Sequence, residues 1–141
     1  MGEALFYVPE QRIVHFDLKG APPKIDYLLR MIKWIKDGGA TGVLLEYEDM
    51  FPFSGKLNGI SAVNRYNVSD IVNLINTCHH LGLEVIPLVQ TFGHMEFILK
   101  HEKFSHLRDT SDMPESICAC HEEAMDLITD YIDQVLLIVI L

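Results

Sequence analysis

Residues 82–99 read G-L-E-V-I-P-L-V-Q-T-F-G-H-M-E-F-I-L. The segment Leu83–Val89 is almost wholly apolar, interrupted only by Glu84, which is typical of a strand buried on both faces of a parallel sheet. Polar side chains follow at once, among them Gln90 and His94. Because α/β proteins bind ligands at the carboxyl ends of parallel strands, the end of this segment is predicted to carry a site.

Two strand-and-helix units precede this segment. The first is predicted to form a strand over Arg12–Leu18 and a helix over Lys24–Lys36, whose apolar residues recur at helical spacing. The second is predicted to form a strand over Gly42–Glu46 and a helix that is capped by Ser69-Asp70 and ends at Gly82. Strands and helices that alternate in this way form parallel sheets with right-handed crossovers.

The fold class is therefore α/β, either a doubly wound sheet or the first three βα units of a (β/α)8 TIM barrel. The connection at 50–68 is longer than most βα loops, so we expect it to be functional or mobile. Irregular helix and loop are predicted over Glu96–Cys120, and a last helix over Glu122–Leu136. A complete barrel needs about 250 residues, so a chain of 141 residues has room for barely half of one.

The composition restricts the classes of function. Hydrophobic residues make up 49% of the chain and charged residues 22%, as expected for one folded domain. A net charge of -9, with only 11 Lys and Arg, argues against nucleic acid and anionic membranes as partners. The apolar run Val135–Leu141 is too short to span a bilayer. Three cysteines, an odd number, indicate a reducing intracellular setting rather than a disulfide framework.

Polar side chains follow all three predicted strands. Carboxylates at that edge can accept hydrogen bonds from sugar hydroxyls or act as general acid and base. The alternative is that they are helix caps and solvated loop charges, and that the histidine is a core residue bonded to a backbone carbonyl. The candidates are Asp17 after the first strand, Glu46, Glu48 and Asp49 after the second, and Gln90 and His94 after the third.

Several other kinds of chemistry lack support in the sequence. The Cys118–His121 stretch, C-A-C-H, has no second ligand pair at zinc-finger spacing, so no metal site is predicted. There is no glycine-rich phosphate loop and no G-x-S-x-G elbow, which leaves nucleotide chemistry and serine hydrolysis unsupported. We expect no cofactor.

Three stretches resemble the family 20 glycoside hydrolases, and in particular an intracellular branch of that family. They are H-F-D-L-K-G-A-P-P-K at His15–Lys24, E-Y-E-D-M-F-P at Glu46–Pro52, and the segment Glu84–Phe97. The resemblance covers Arg12–Leu136. It implies that all 141 residues form the amino-terminal part of a TIM-barrel catalytic domain that stops before the fourth strand.

The resemblance implies a β-N-acetylhexosaminidase that removes terminal N-acetylgalactosamine or N-acetylglucosamine from a glycoside. In family 20 the acetamido oxygen of the sugar attacks the anomeric carbon. An Asp-Glu pair on the fourth strand orients the acetamide and supplies the general acid. No Asp-Glu dipeptide follows Asp133, so no catalytic residue is assigned and we expect the 141 residues alone to be inactive.

The same resemblance implies roles for individual residues. Arg12 matches an arginine that binds hydroxyls of the terminal sugar. His94, directly after Gly93, matches a histidine that supports the catalytic carboxyls. Gln90 stands where the wider family has an aspartate and remains a substrate-binding candidate. The other substrate-binding candidates are Asp17, Glu46, Glu48 and Asp49.

A second hypothesis is non-catalytic: a fragment that binds sugar weakly or associates with itself. A three-stranded parallel sheet leaves two edges and apolar surface uncovered, which favours association. The intracellular branch of the family implies a cytoplasmic location, with the nucleus as a second compartment.

Overall fold

The computed structural model describes residues 7–139 and contains a three-stranded parallel sheet, a two-stranded antiparallel hairpin and four α-helices. The predicted βα alternation is present, with element bounds within a few residues of those expected. The strands are β1 (Ile13–Asp17), β2 (Gly42–Glu46), β3 (Glu84–Leu88), β4 (Arg108–Thr110) and β5 (Met113–Ile117). The helices are α1 (Ile25–Asp37), α2 (Val68–His80), α3 (Glu96–Leu99) and α4 (Ala124–Val139).

The parallel sheet has the order β1-β2-β3, and its register aligns the carboxyl ends of all three strands. Asp17 is the partner of Glu46, and Glu46 is the partner of Leu88. This arrangement follows from the two crossovers, since α1 and α2 each return the chain to the same end of the sheet. Residues that follow the three strands therefore meet at one edge.

The two faces of the sheet have different surroundings. Outward-facing residues such as Val43 and Leu45 are fully buried in the main core with α1 and α2. The opposite, inward face carries polar residues, among them His15, Asp17 and Glu46, and apolar residues that are only half-buried and are not part of the main core of residues 7–139. Its apolar members are Ile13, Leu44, Ile86 and Leu88. We call this surface the open face.

The prediction that Leu83–Val89 is buried on both faces is wrong for most of the segment. Leu83 is buried, but every residue from Val85 to Val89 is half-buried. The reason is that β3 pairs only with β2 among the described residues and contributes Ile86 and Leu88 to the open face.

The long connection between β2 and α2 is packed into the core. Six of its apolar or aromatic side chains are buried, whereas Val63 is exposed, and two 3₁₀ turns shape its backbone. The cap of α2 is Asn67 rather than Ser69-Asp70: its side chain accepts from the Asp70 amide, and the Asp70 carboxylate accepts from the Asn67 amide. This capping box sets the start of α2. The buried residues of the connection are Met50, Phe51, Phe53, Leu57, Ile60 and Tyr66.

Hairpin β4–β5 corrects the prediction of irregular structure over Glu96–Cys120. Its strands are short and rich in residues with low strand propensity, such as Asp109, Pro114 and Glu115, so local sequence gave little signal. It is held by contacts with the chain around α3.

No helix within residues 7–139 is long and apolar enough to cross a membrane. Residues 140 and 141 of the terminal apolar run lie outside the described residues.

Candidate functional site

A polar cluster occupies the carboxyl edge of the parallel sheet. Asp17 and Glu46 are the last residues of β1 and β2, and Gln90 follows β3 by two residues. The Gln90 amide Nε2 lies 3.4 Å from Glu46 Oε1. The structure therefore brings together predicted site residues from the ends of all three strands, and Glu48, a fourth, joins them through Lys19.

Glu46 lies at the centre of this cluster and is only 4% exposed. Its Oε2 is 2.9 Å from His15 Nε2, and its Oε1 is 3.2 Å from Lys19 Nζ. Burial alone opposes ionisation, but hydrogen bonds from Lys19 and Gln90 outweigh it, so the pKa of Glu46 lies below its ordinary value. Glu46 therefore remains an anion inside the site.

Lys19 joins three carboxylates. Its Nζ lies 3.0 Å from Asp17 Oδ2 and 3.2 Å from one oxygen each of Glu46 and Glu48. Burial lowers the pKa of Lys19, but the hydrogen bonds to these carboxylates outweigh it, so the pKa is raised above the ordinary lysine value. We call these four residues the Lys19 cluster, and Lys19 reduces the repulsion among its three acids.

Glu48 differs from Glu46 in both backbone and ionisation. Its φ is 44°, in the left-handed region that side-chain-bearing residues seldom adopt. Burial raises the pKa of Glu48, the nearby Glu46 carboxylate adds to that effect, and Lys19 offsets only part of it. Of the two glutamates, Glu48 therefore takes up a proton first.

Three residues of the site were not predicted from the sequence. His15 lies on the same face of β1 as Asp17, and the alternation of that strand could have revealed it. Lys19 lies two residues beyond Asp17 and could have been noted as a cation among the acids. Tyr131 is buried on α4, and its phenol lies near the Gln90 backbone, Glu46 and Glu48. Burial raises the pKa of Tyr131, so it stays a neutral phenol. No local pattern could have linked it to the site.

Arg12 lies outside the Lys19 cluster, and its role as a sugar ligand stays a prediction. It precedes β1, at the amino end of the sheet, and its Nε donates to the Gly39 carbonyl at 2.6 Å. Five residues of extended chain separate it from Asp17, a distance of about 16 Å. This hydrogen bond stabilises the turn between α1 and β2.

Asp49 and His94 do not join the Lys19 cluster. Asp49 Oδ2 pairs with Lys100 Nζ at 3.3 Å, which ties the loop after β2 to the end of α3. His94 is exposed and has a left-handed backbone with φ 56°. Within residues 7–139 the His94 ring has no hydrogen-bond partner. The ring is accessible to a group from outside those residues.

Metal-ligand geometry does not occur in the part of the chain that the structure describes. No group of three or more His, Cys, Asp or Glu side chains in residues 7–139 could hold a metal ion. Cys118 and Cys120 are unpaired thiols.

The fold is that of part of a family 20 TIM-barrel enzyme. A family 20 β-N-acetylhexosaminidase from Streptomyces coelicolor A3(2) superposes with a TM-score of 0.71 at 14% identity, covering 92% of this chain and 31% of that chain. A mutant Streptomyces plicatus β-hexosaminidase in complex with product (GlcNAc) gives a TM-score of 0.74, also at 14% identity, covering 92% and 30%. The expected partial barrel is thereby confirmed.

Sequence comparison is more specific. The chain is 49% identical over 125 residues to hexosaminidase D from Bos taurus and 47% identical over 127 residues to hexosaminidase D from Homo sapiens. These matches cover 89% and 90% of this chain but only 36% and 26% of the relatives. No family model matches the chain. The resemblance identified from the motifs is confirmed: the chain is hexosaminidase-like and spans about a third or less of those relatives.

Proposed function

We propose that this chain forms one wall of the sugar-binding site of a β-N-acetylhexosaminidase. The substrate would be a glycoside with a terminal N-acetylgalactosamine or N-acetylglucosamine residue, hydrolysed by substrate-assisted retaining catalysis. The observation that carries the proposal is the contact between Gln90 and Glu46. It joins the two most distinctive motifs of the chain at the edge where barrel enzymes bind substrate.

The polar groups of this wall suit a neutral sugar. Glu46 orients the Gln90 carboxamide by accepting one of its N–H groups, which leaves the amide oxygen to accept from a sugar hydroxyl. Asp17 keeps a side chain that is 43% exposed while it pairs with Lys19. Preorganised groups of this kind bind with less loss of side-chain entropy than mobile ones.

The proposal is tested by titrating the 141-residue chain with N-acetylgalactosamine and N-acetylglucosamine and following the backbone amides by NMR. We expect shifts at the carboxyl edge of the sheet. Gln90→Leu removes the amide oxygen that accepts from the sugar hydroxyl and should weaken binding by about tenfold, as expected for the loss of one hydrogen bond. Gln11→Leu is the matched control, because Gln11 is an exposed glutamine that precedes β1.

Absence of amide shifts with both sugars would contradict the proposed function, and equal affinity of the two variants would remove Gln90 from the site.

The same preparation tests catalysis. The sequence contains no Asp-Glu dipeptide, and a missing general acid costs about 10²–10⁴-fold in rate. We therefore expect binding without useful turnover of a chromogenic N-acetylhexosaminide, and robust hydrolysis would overturn that part.

A second candidate property, self-association, is favoured by the open face. Its four apolar residues are half-buried and are spread over all three strands, and the outer edges of β1 and β3 have no partner strand within residues 7–139. Apolar sheet surface and unpaired edges both promote pairing between chains. We infer that two copies of the chain associate through this face.

Size-exclusion chromatography with light scattering tests this inference. We expect a mass that rises with concentration for the wild type. Ile86→Lys places a charge on the open face and should shift the chain to the monomer, whereas Val63→Lys changes a fully exposed loop residue and should not. A wild-type chain that remains monomeric at all concentrations would rule out association.

We also propose a cytoplasmic location, with the nucleus as a second compartment. The support is the cysteine usage: Cys78 is buried and unpaired, and Cys118 and Cys120 are likewise free thiols. Imaging of a fluorescent fusion in cells tests it, and secretion of the fusion would contradict it.

A further inference from the structure

Hairpin β4–β5 is bonded to the turn that carries His94. The Met95 amide donates to the Glu115 carbonyl at 2.9 Å, and the Ile117 amide donates to the Phe92 carbonyl at 3.0 Å. These two hydrogen bonds flank His94 on both sides. Ile117 is buried, so the hairpin end of this connection lies in the protein interior.

This connection matters because His94 has an unfavourable backbone conformation. With φ at 56°, it is one of two non-glycine residues of 7–139 in the left-handed region, the other being Glu48. Such residues persist only where the surrounding structure fixes them, and they concentrate at functional sites. The bonds from β5 to Phe92 and Met95 supply that constraint.

Arg108 fixes the hairpin against α3, the helix that follows the turn. Its Nε donates to the Leu99 carbonyl and its Nη1 to the Ser111 carbonyl, both at 2.9 Å. Leu99 ends α3, and Ser111 lies in the loop of the hairpin. The planar guanidinium bridges the two, an arrangement that a lysine cannot reproduce because its ammonium presents no rigid fork.

We propose that hairpin β4–β5 holds His94 in the conformation that binds substrate, and that Arg108 is the positioning residue of this device. The inference rests on the proposed function, because it assigns the turn a role in sugar binding. Arg108 acts through the turn and not on the sugar, so its removal affects affinity only while His94 is present.

The test compares Arg108→Met with Arg108→Lys in the 141-residue chain. Arg108→Met removes both donors, and we expect faster hydrogen exchange at the Met95 and Ile117 amides and about tenfold weaker binding of N-acetylglucosamine or N-acetylgalactosamine. Arg108→Lys keeps a donor for one carbonyl and should give an intermediate loss. Exchange at Val43 and Leu45 in β2 should stay unchanged, which separates a local effect from unfolding.

A double-mutant cycle with His94→Ala isolates the positioning role. We expect Arg108→Met to cause no further loss of affinity once His94 is removed, since the two residues act as one unit. The matched control is Lys103→Met, because Lys103 also donates to two backbone carbonyls, those of Lys56 and Asn58, but lies outside the hairpin. The affinity of Lys103→Met for the two sugars and its hydrogen exchange at the Met95 amide should equal those of the wild type.

The outcomes are distinguishable from failure of the proposed function. If the wild type binds neither sugar, the proposed function fails, while exchange at Met95 and Ile117 still reports whether Arg108 holds the turn. If the wild type binds and Arg108→Met leaves affinity unchanged, or if its loss adds fully to that of His94→Ala, the positioning role of Arg108 is overturned.

Discussion

Lys19→Met is expected to lower the free energy of unfolding by about 2 kcal/mol at pH 7. The substitution leaves Asp17, Glu46 and Glu48 close together without the ammonium that joins them. Removing one partner of a fully buried ion pair costs about 3–5 kcal/mol. The loss expected for Lys19→Met is smaller than this because the Lys19 side chain is 44% exposed and solvent screens part of the interaction. Chemical denaturation of the two proteins measures the difference.

The pH dependence of that difference has a defined sign. A carboxyl whose pKa is lower in the native than in the unfolded state contributes stability above its unfolded pKa, and this is lost as pH falls through the native pKa. Glu46 is such a group, with an ordinary value of 4.5. The free energy of unfolding of the wild type should therefore exceed that of Lys19→Met most at neutral pH, and the difference should narrow below pH 4.5.

Lys100→Met is the matched control for Lys19→Met. Lys100 is exposed to a similar degree but pairs with a single carboxylate, that of Asp49. A single pair of this kind contributes about 0–1 kcal/mol. Equal destabilisation by the two substitutions would contradict the assignment of Lys19 as the residue that joins the acids.

Phe53→Ala is expected to have the largest effect on stability, a loss of about 3–5 kcal/mol, as found for buried phenylalanines. Phe53 is 6% exposed and lies in the connection between β2 and α2. Its ring centroid is 4.9 Å from that of Phe51, 6.5 Å from that of Phe97 on α3, and 5.6 Å from that of Tyr131 on α4. The substitution therefore opens a cavity where three parts of the chain meet.

Phe92→Ala is the matched control for Phe53→Ala, because Phe92 is 60% exposed. The same change at that position should alter the free energy of unfolding by no more than about 0.5 kcal/mol. Thermal or chemical denaturation compares the free energies of unfolding of the two variants. A small effect at Phe53 would indicate that the connection is mobile, as the sequence allowed, and not part of the core.

The fold was largely predictable because its signals are local. The apolar runs of the three strands, the helical spacing over Ile25–Asp37 and the glycines after the helices each act within a few residues. Hairpin β4–β5 was missed because its stability comes from contacts with Phe92 and Met95 and not from its own composition. Asn67 was missed as the cap of α2 because Ser69 and Asp70 are equally good caps by residue type.

The site was predictable only in part. The meeting of Asp17, Glu46, Glu48 and Gln90 at one edge could be predicted because strand ends can be located from the sequence and parallel strands align those ends. The place of Arg12 at the amino end of β1 also follows from the predicted strand Arg12–Leu18, and its role as a sugar ligand stays a prediction. Lys19 was overlooked because two of its three carboxylate contacts are to side chains 27 and 29 residues away along the chain.

The sequence by itself determined the βα order, the parallel sheet and the edge that bears polar groups, since periodicity and turn residues act locally. Only the tertiary structure decided which of those groups meet. Hydrogen bonds fix Glu46 between His15, Lys19 and Gln90, and the hairpin brings Arg108 to the Leu99 carbonyl at the end of α3. Such contacts depend on distances between residues remote in the chain, which folding sets and local pattern does not.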